Sequence, residues 1–167
     1  ISNPTWSATG SNAIPHNNAN DLYTQMNTTY SGIRDIDQAN NILGNIEGIN
    51  GGSDYEKLSN ARLLSSSEYT LNRALGYISL KTPLRADEVL AVAYEYTYGG
   101  QTYQVGEFSS DIKDSKTTMF VKLIKPNACS PMNGCWDLMM KNVYSLGTRS
   151  LQSTGFKLDV YYASDSL

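Results

Sequence analysis

The chain has 167 residues, of which 40% are hydrophobic and only 17% charged, and its formal net charge is −3. This length supports a single domain, and the composition excludes a polyelectrolyte. Without a basic excess we expect no nucleic-acid partner. No apolar run approaches 18 residues, so we expect no direct membrane insertion of this chain. Twelve tyrosines against three phenylalanines are typical of an exported, β-rich surface protein.

Residues 1–21 have no hydrophobic periodicity and are predicted to form a flexible N-terminal arm. Ser11-Asn12-Ala13 within them is either native or a remnant of tag removal. The chain opens on Ile1, which favours a mature fragment or an excised domain. Residues 22–167 are predicted to form a single globular, soluble domain of a larger protein.

Two helices are predicted in the first half of the chain. Apolar residues from Ile33 to Ile46 have the spacing of a short amphipathic helix. Ser53 and Glu56 have the spacing of a capping box, which predicts a second helix that continues to about Leu64.

Residues 87–108 give the clearest pattern in the sequence. Apolar and tyrosine side chains alternate up to Tyr98, and Gly99-Gly100 can supply the positive φ angles of a type I′ turn. We expect strands near 88–98 and 101–108 to pair in antiparallel register across this turn.

The other predicted elements are a strand over 77–80, a strand over 117–125, a helix over 135–146 and a final strand over 156–162. The helix would bury the face that carries Trp136 against the sheet, or else leave it exposed to dock onto a partner outside this chain. The predicted fold class is therefore α+β, an antiparallel β-sheet with a strong 88–108 hairpin and a few short packed helices. A β-sandwich is the alternative.

Few residues have the spacing of a catalytic or metal site. The single histidine, His16, lies in the arm, and the common nucleophile, phosphate-loop and dinucleotide motifs do not occur. Glu95 and Glu107 offer a weak case for a glycosidase pair. Residues 48–56 supply oxygen ligands without the spacing of a calcium loop. We expect no catalytic residue, no metal and no cofactor.

Cys129 and Cys135 lie in a short loop with Pro131 and Gly134. They are either separate thiols or a candidate disulfide that closes this loop, and an oxidising compartment favours the disulfide. Two thiols with one distant histidine cannot supply four zinc ligands.

Four tyrosines form the most conspicuous surface candidate: Tyr94, Tyr96, Tyr98 and Tyr103. Their rings form an amphipathic platform for sugars or a protein partner, or they cover one sheet face against a packed layer. Exposed rings that line a groove would favour sugars, whereas buried rings or a flat patch would favour packing or a protein contact.

Four ordered blocks resemble a known family. They read LNRALGYISLKTPLRADEVLAVAYEYTYGGQTYQVGEFS, FVKLIKP, WDLMMKNVYSLG and FKLDVYY, and they lie between Leu71 and Tyr162 within a resemblance that covers about residues 22–162. This sequence is similar to the SprA/Sov family, very large outer-membrane proteins of Bacteroidetes that are required for type IX protein secretion and gliding motility. The NACSPMNGC insertion before Trp136 departs from the family pattern.

The resemblance implies a non-enzymatic extramembrane domain of a type IX secretion translocon. It implies a location in the cell envelope, at the extracellular or periplasmic face of the outer membrane. The implied partners are other secretion-system proteins, the parent β-barrel and secreted cargo. The family supplies no catalytic residues. The motif residues that carry over do so only as structural or contact positions: Tyr94, Tyr96, Trp136, Asp137 and Tyr144. A carbohydrate-binding surface module that uses the tyrosine face is the alternative, and a fragment of a surface hydrolase is the weakest candidate.

Overall fold

A computed structural model describes residues 14–128, 130–140, 143, 146–147, 150–152 and 154–161. Its two α-helices are α1 (Leu22–Asn27) and α2 (Ala39–Gly44). Short 3-10 helices cover Ser31–Arg34, Ser109–Asp111 and Gly134–Leu138.

Six strands in the described part of the chain form three antiparallel pairs. They are β1 (Tyr69–Asn72), β2 (Tyr77–Leu80), β3 (Leu90–Val92), β4 (Tyr94–Tyr98), β5 (Gln101–Val105) and β6 (Lys122–Lys125). β1 pairs with β2, β3 with β6, and β4 with β5. The predicted α+β class with antiparallel sheets is therefore confirmed, whereas these separate pairs do not form the alternative β-sandwich.

The β4–β5 hairpin confirms the predicted turn. Tyr98 lies opposite Gln101 and Tyr94 lies opposite Val105. Gly99 has φ +59° and Gly100 has φ +78°, a region that favours glycine over residues with a Cβ.

The predicted long strand over 88–98 is interrupted at Ala93. On one side of Ala93, β3 pairs with β6, and on the other side β4 pairs with β5. Gly106, with φ +73°, lies against this junction: a Cβ added there would be 3.1 Å from Ala93 Cβ and 3.3 Å from Val121 Cα. The chain can change partners at Ala93 because Gly106 lets the segments approach closely.

The predicted helix over 33–46 is divided into the 3-10 helix Ser31–Arg34 and α2. Between them Asp35 adopts an extended conformation and forms a β-bridge with Thr117. The Ile36 amide donates to the Lys116 carbonyl over 3.0 Å. Long-range backbone pairing thus replaces the helical hydrogen bonds at this point.

The helix predicted from Ser53 to Leu64 is wrong. The Asp54 carboxylate accepts a hydrogen bond from the Asn50 amide over 2.9 Å and closes a turn. Glu56 accepts from the amide of Asn127 over 3.0 Å, so its carboxylate engages a distant segment and makes no reciprocal bond to Ser53. The capping box therefore does not form.

The predictions for the end of the chain are also corrected. Gly134–Leu138 is a 3-10 helix that lies against β6, and the backbone becomes extended at Met139, so the α-helix predicted over 135–146 does not form over 135–140. Residues 141–142 and 144–145 of that prediction lie outside the described residues. The strand predicted over 156–162 is absent from the described residues 156–161.

The hydrophobic core is small and lies near α2. Its buried members are Ile33, Ala39, Leu43 and Ile46. Half-buried side chains that include Met26, Tyr55 and Phe120 pack around them. This core fixes the N-terminal helices against the segment that contains Phe120, which positions the charged cluster described next.

A buried ion pair beside an open cleft

Arg34 and Glu107 form the most extensively bonded charged pair in the described part of the chain. Arg34 Nη1 donates to Glu107 Oε2 over 2.8 Å, and Nη2 donates to Oε1 of the same carboxylate. The Glu107 side chain is 6% exposed and that of Arg34 is 22% exposed. The fork geometry of the guanidinium matches both carboxylate oxygens, which favours Arg over Lys at this position.

Neighbouring groups complete the bonding of this pair. The Tyr23 hydroxyl donates to Glu107 Oε1 over 2.7 Å, and the Phe120 amide donates to Oε2 over 2.9 Å. Arg34 Nε donates to Asn27 Oδ1 over 2.8 Å. The Arg34 guanidinium also lies 4.0 Å from the centroid of the Phe120 ring, a cation–π contact.

These contacts shift the titration of all three ionisable groups. Burial raises the pKa of Glu107, but the hydrogen bonds from Arg34, Phe120 and Tyr23 outweigh burial and hold it below its usual value. The hydrogen bond to Glu107 raises the pKa of Arg34. Burial, and then the Glu107 carboxylate, raise the pKa of Tyr23. The pair is therefore ionised at neutral pH.

This bonding bears on the glycosidase hypothesis for Glu95 and Glu107. Both oxygens of the Glu107 carboxylate accept hydrogen bonds, and its low pKa opposes the raised pKa that a general acid needs. Glu95 lies exposed on β4 opposite Gln104. Both features oppose a role for Glu107 as a general acid.

An open cleft of about 730 Å³ lies beside the ion pair. Its lining is polar and comes from the segment around His16, from β5 and from the loop after Gly106. The lining residues are His16, Asn17, Asn18, Tyr23, Arg34, Thr102, Tyr103, Gln104, Glu107, Asp111, Ile112, Lys113, Asp114 and Thr117.

One wall of the cleft is formed by residues that the sequence assigns to the N-terminal arm. The Asn17 amide donates to the Gln104 carbonyl over 2.8 Å. The Asn17 side chain accepts from the Gly106 amide over 2.7 Å and donates to the Gly106 carbonyl over 3.0 Å. Asn17 therefore bonds to the edge of β5 as a neighbouring strand would.

The loop after Gly106 contributes the Asp111 carboxylate to the lining of the cleft. Asp111 accepts from the Phe108 amide over 2.9 Å and from Gln104 Nε2 over 3.2 Å. The bond from the Phe108 amide lowers the pKa of Asp111. Among the described residues, no group of three or more His, Cys, Asp or Glu side chains could hold a metal ion.

The four tyrosines form a ladder on the hairpin. Tyr96 and Tyr103 stack with ring centroids 5.5 Å apart, and Tyr94 lies 6.0 Å from Tyr96. The Tyr96 hydroxyl donates to the Pro15 carbonyl over 2.6 Å, and His16 lies 5.4 Å from Tyr103. Burial raises the pKa of Tyr96, and Tyr94 and Tyr103 raise it further.

The tyrosines differ in their accessibility. Tyr98 is 63% exposed and Tyr94 is 38% exposed, whereas Tyr96 and Tyr103 are half-buried. Of the four, Tyr103 lines the cleft. The ladder is thus partly exposed and contacts the cleft through Tyr103, which lies opposite Tyr96.

Trp136 and the cysteines lie in another part of the molecule. Trp136 is half-buried in the 3-10 helix that lies against β6. Cys135 Sγ lies 3.8 Å from the Leu123 carbonyl oxygen. Cys129 lies outside the described residues, so the Cys129–Cys135 disulfide stays a prediction.

Sequence reasoning missed Arg34, Tyr23 and Asn17. Arg34 and Glu107 belong to different short elements that are brought together by long-range pairing, and neither lies in a local motif. Asn17 lies in a segment without periodicity, so its bonds to Gly106 had no signal in the sequence.

No family model, curated protein or solved structure matches this chain. None of the helices in the described part of the chain has the length and apolar character needed to cross a membrane.

Proposed function

We propose that this chain is a non-enzymatic extramembrane domain of a type IX protein secretion translocon in the bacterial cell envelope. It acts through contacts with the parent barrel, with other secretion-system proteins or with secreted cargo. The ordered resemblance to the SprA/Sov family is the basis of this proposal.

The observation that supports a contact role is the number of large apolar side chains on the surface. Leu63, Leu75 and Met132 are 91%, 75% and 92% exposed. Side chains of this size and exposure are available for apolar contacts with a partner surface.

The β1–β2 hairpin supports the same interpretation. None of the residues in β1 or β2 is buried, and Leu71 and Leu75 are more than half exposed. Isolated two-stranded hairpins are marginally stable in water. A hairpin of this kind gains stability when another surface covers it.

The test replaces exposed apolar residues in the full-length parent protein and measures secretion of a type IX cargo. We expect Leu63→Ser with Leu75→Ser to reduce secretion while the melting temperature of the 167-residue chain changes little, because both side chains are exposed. The matched control is Thr70→Ser with Gln101→Ser, two exposed polar positions on strands. Normal secretion by the apolar variant would reject a contact role for this surface.

A carbohydrate-binding module is the second candidate, and it is favoured by one observation. Tyr103 lines the polar cleft and continues into the exposed ring of Tyr94 through Tyr96. Aromatic rings beside polar groups are suited to amphipathic ligands.

Titration of the labelled chain with a panel of neutral oligosaccharides, followed by NMR, separates the two candidates. If the cleft binds a glycan, the sugar should change the chemical shifts of residues around Tyr103. Tyr103→Ala should abolish these changes, and Tyr98→Ala should preserve them. An absence of shifts across the panel would remove this candidate and leave the translocon proposal unaffected.

A further inference from the structure

Residues 156–161 have the sequence pattern of a strand but no strand partner in the part of the chain that the structure describes. Phe156, Leu158 and Val160 alternate with Lys157 and Asp159. Alternation of this kind is the pattern of a strand with one apolar and one polar face. Among the residues that the structure describes, none forms a β-bridge with this segment.

The apolar side chains of this segment are unprotected. Leu158 is 60% exposed and Val160 is 85% exposed. A second strand would supply hydrogen-bond partners for the extended backbone, and contacts between side chains across the two strands would shield part of the apolar surface.

We propose that residues 156–161 pair in antiparallel register with the same residues of a second copy of this chain. The two-fold axis of the dimer passes between the two copies of Leu158. This register places Phe156 opposite Val160 of the second copy, and Lys157 opposite its Asp159. The interface is isologous, as expected for a symmetric dimer.

The charges select this register over its neighbours. A shift by one residue would bring the apolar face of one strand opposite the polar face of the other. The next registers that preserve the faces would place Lys157 opposite Lys157, or Asp159 opposite Asp159, and like charges directly opposite destabilise a sheet. The register centred on Leu158 satisfies both charges of each copy.

The dimer also explains why the segment forms no strand in the single chain. A strand gains little without an edge to pair with, and none of the described strands β1 to β6 pairs with this segment. The short length of the segment makes the association weak, with a dissociation constant on the order of 100 µM.

Sedimentation equilibrium of the full 167-residue chain tests the proposal at concentrations up to about ten times that constant. We expect a concentration-dependent dimer. Lys157→Asp and Asp159→Lys should each weaken dimerisation by at least about tenfold, because each change creates two like-charge pairs.

The decisive sample is a mixture of the two single variants. In the mixed dimer each Asp faces a Lys again, so association should return to within about threefold of the wild type. The double variant Lys157→Asp/Asp159→Lys should recover in the same way. Lys81→Asp, an exposed position outside the segment, controls for the change in net charge and should dimerise like the wild type.

Two results would overturn the proposal. One is a wild-type chain that stays monomeric over the whole concentration range, which would assign the segment to a different sheet edge. The other is a mixture of single variants that associates no better than either variant alone. Amide hydrogen exchange gives a second measurement, since protection at residues 156–161 should rise with protein concentration.

Discussion

Arg34 and Glu107 are separated by 73 residues in the chain, and their side chains form a two-point ion pair at the floor of the cleft. The pair connects the N-terminal helices to the segment that follows β5. Backbone bonds reinforce the connection, since the Thr118 amide donates to the Arg34 carbonyl over 2.8 Å and the Glu107 amide donates to the Phe120 carbonyl over 2.7 Å. The ion pair therefore lies where three segments of the fold meet.

Removal of one member of this pair should destabilise the domain. Glu107→Ala leaves the largely buried Arg34 guanidinium without its carboxylate, and we expect the free energy of unfolding to fall by about 3 kcal/mol. In a double-mutant cycle with Arg34→Met, the free energy of unfolding of the double variant should fall by less than the sum of the decreases in the two single variants. Denaturant titration measures each value.

The Arg62–Glu68 pair is the matched control. Its side chains are 70% and 38% exposed, so solvent screens their interaction. Glu68→Ala should therefore have a much smaller effect than Glu107→Ala. Equal losses for the two variants would contradict a special role for the buried pair.

The pH dependence of stability should reflect Glu107. Its pKa is lower in the folded state than the ordinary value of 4.5, so the folded state binds fewer protons in acid than the unfolded state does. The stabilisation is fully present above pH 4.5 and is lost as the pH falls through the folded pKa.

Glu107→Gln removes this titration. We expect the variant to be less stable than the wild type at pH 7, and the difference to shrink as the pH falls below 4.5. Urea titrations at pH 7, 5, 4 and 3 measure the effect. A difference that stays constant down to pH 3 would show that Glu107 does not contribute to the acid dependence.

The sequence predicted the elements that depend on local signals. The β4–β5 hairpin follows from alternation and from Gly99-Gly100, both of which lie within a few residues of the turn. It did not predict the interruption at Ala93, because the change of partner depends on Gly106 and Val121 in other segments.

The failed helices have a similar explanation. Glu56 fits a capping box locally, yet a bond to Asn127 engages its carboxylate. The apolar pattern after Cys135 has a helical period, but Met140 and Val143 are 60% and 68% exposed, so the predicted apolar face is not buried along its length. The Arg34–Glu107 pair had no local signal at all, so the floor of the cleft could not be predicted.

The hairpin turn provides a prediction about backbone conformation. Gly99 and Gly100 both have positive φ, and a Cβ at either would meet nothing within 4 Å. Valine at both positions should therefore lower the free energy of unfolding by about 2 kcal/mol or more through φ strain alone. Thr97→Val, a β-branched exchange on exposed β4, controls for added apolar surface. An unchanged melting temperature for the glycine variant would refute the turn assignment.

Gly106→Ala tests whether close packing at the junction of β3 and β4 holds the two sheets together. The substitution combines a positive φ with a Cβ 3.1 Å from Ala93 Cβ. We therefore expect the free energy of unfolding to fall by about 2–4 kcal/mol. Gly44→Ala is the matched control, since a Cβ there meets nothing within 4 Å and alanine favours a helix; it should be neutral or stabilising by up to about 1 kcal/mol.

The double variant Ala93→Gly/Gly106→Ala separates the two causes of the Gly106→Ala loss. Loss of the Ala93 methyl group relieves the 3.1 Å contact, whereas the φ strain at residue 106 and the 3.3 Å approaches to the Cα atoms of residues 93 and 121 remain. The cost of Gly106→Ala in unfolding free energy is measured in the wild-type and in the Ala93→Gly background, and it should be smaller but not zero in the second. An equal cost in both backgrounds would assign the whole loss to backbone strain and to these two Cα atoms. A complete disappearance of the cost would assign it to the contact with Ala93, which would make the small size of residue 93 the feature that permits the strand to change partners.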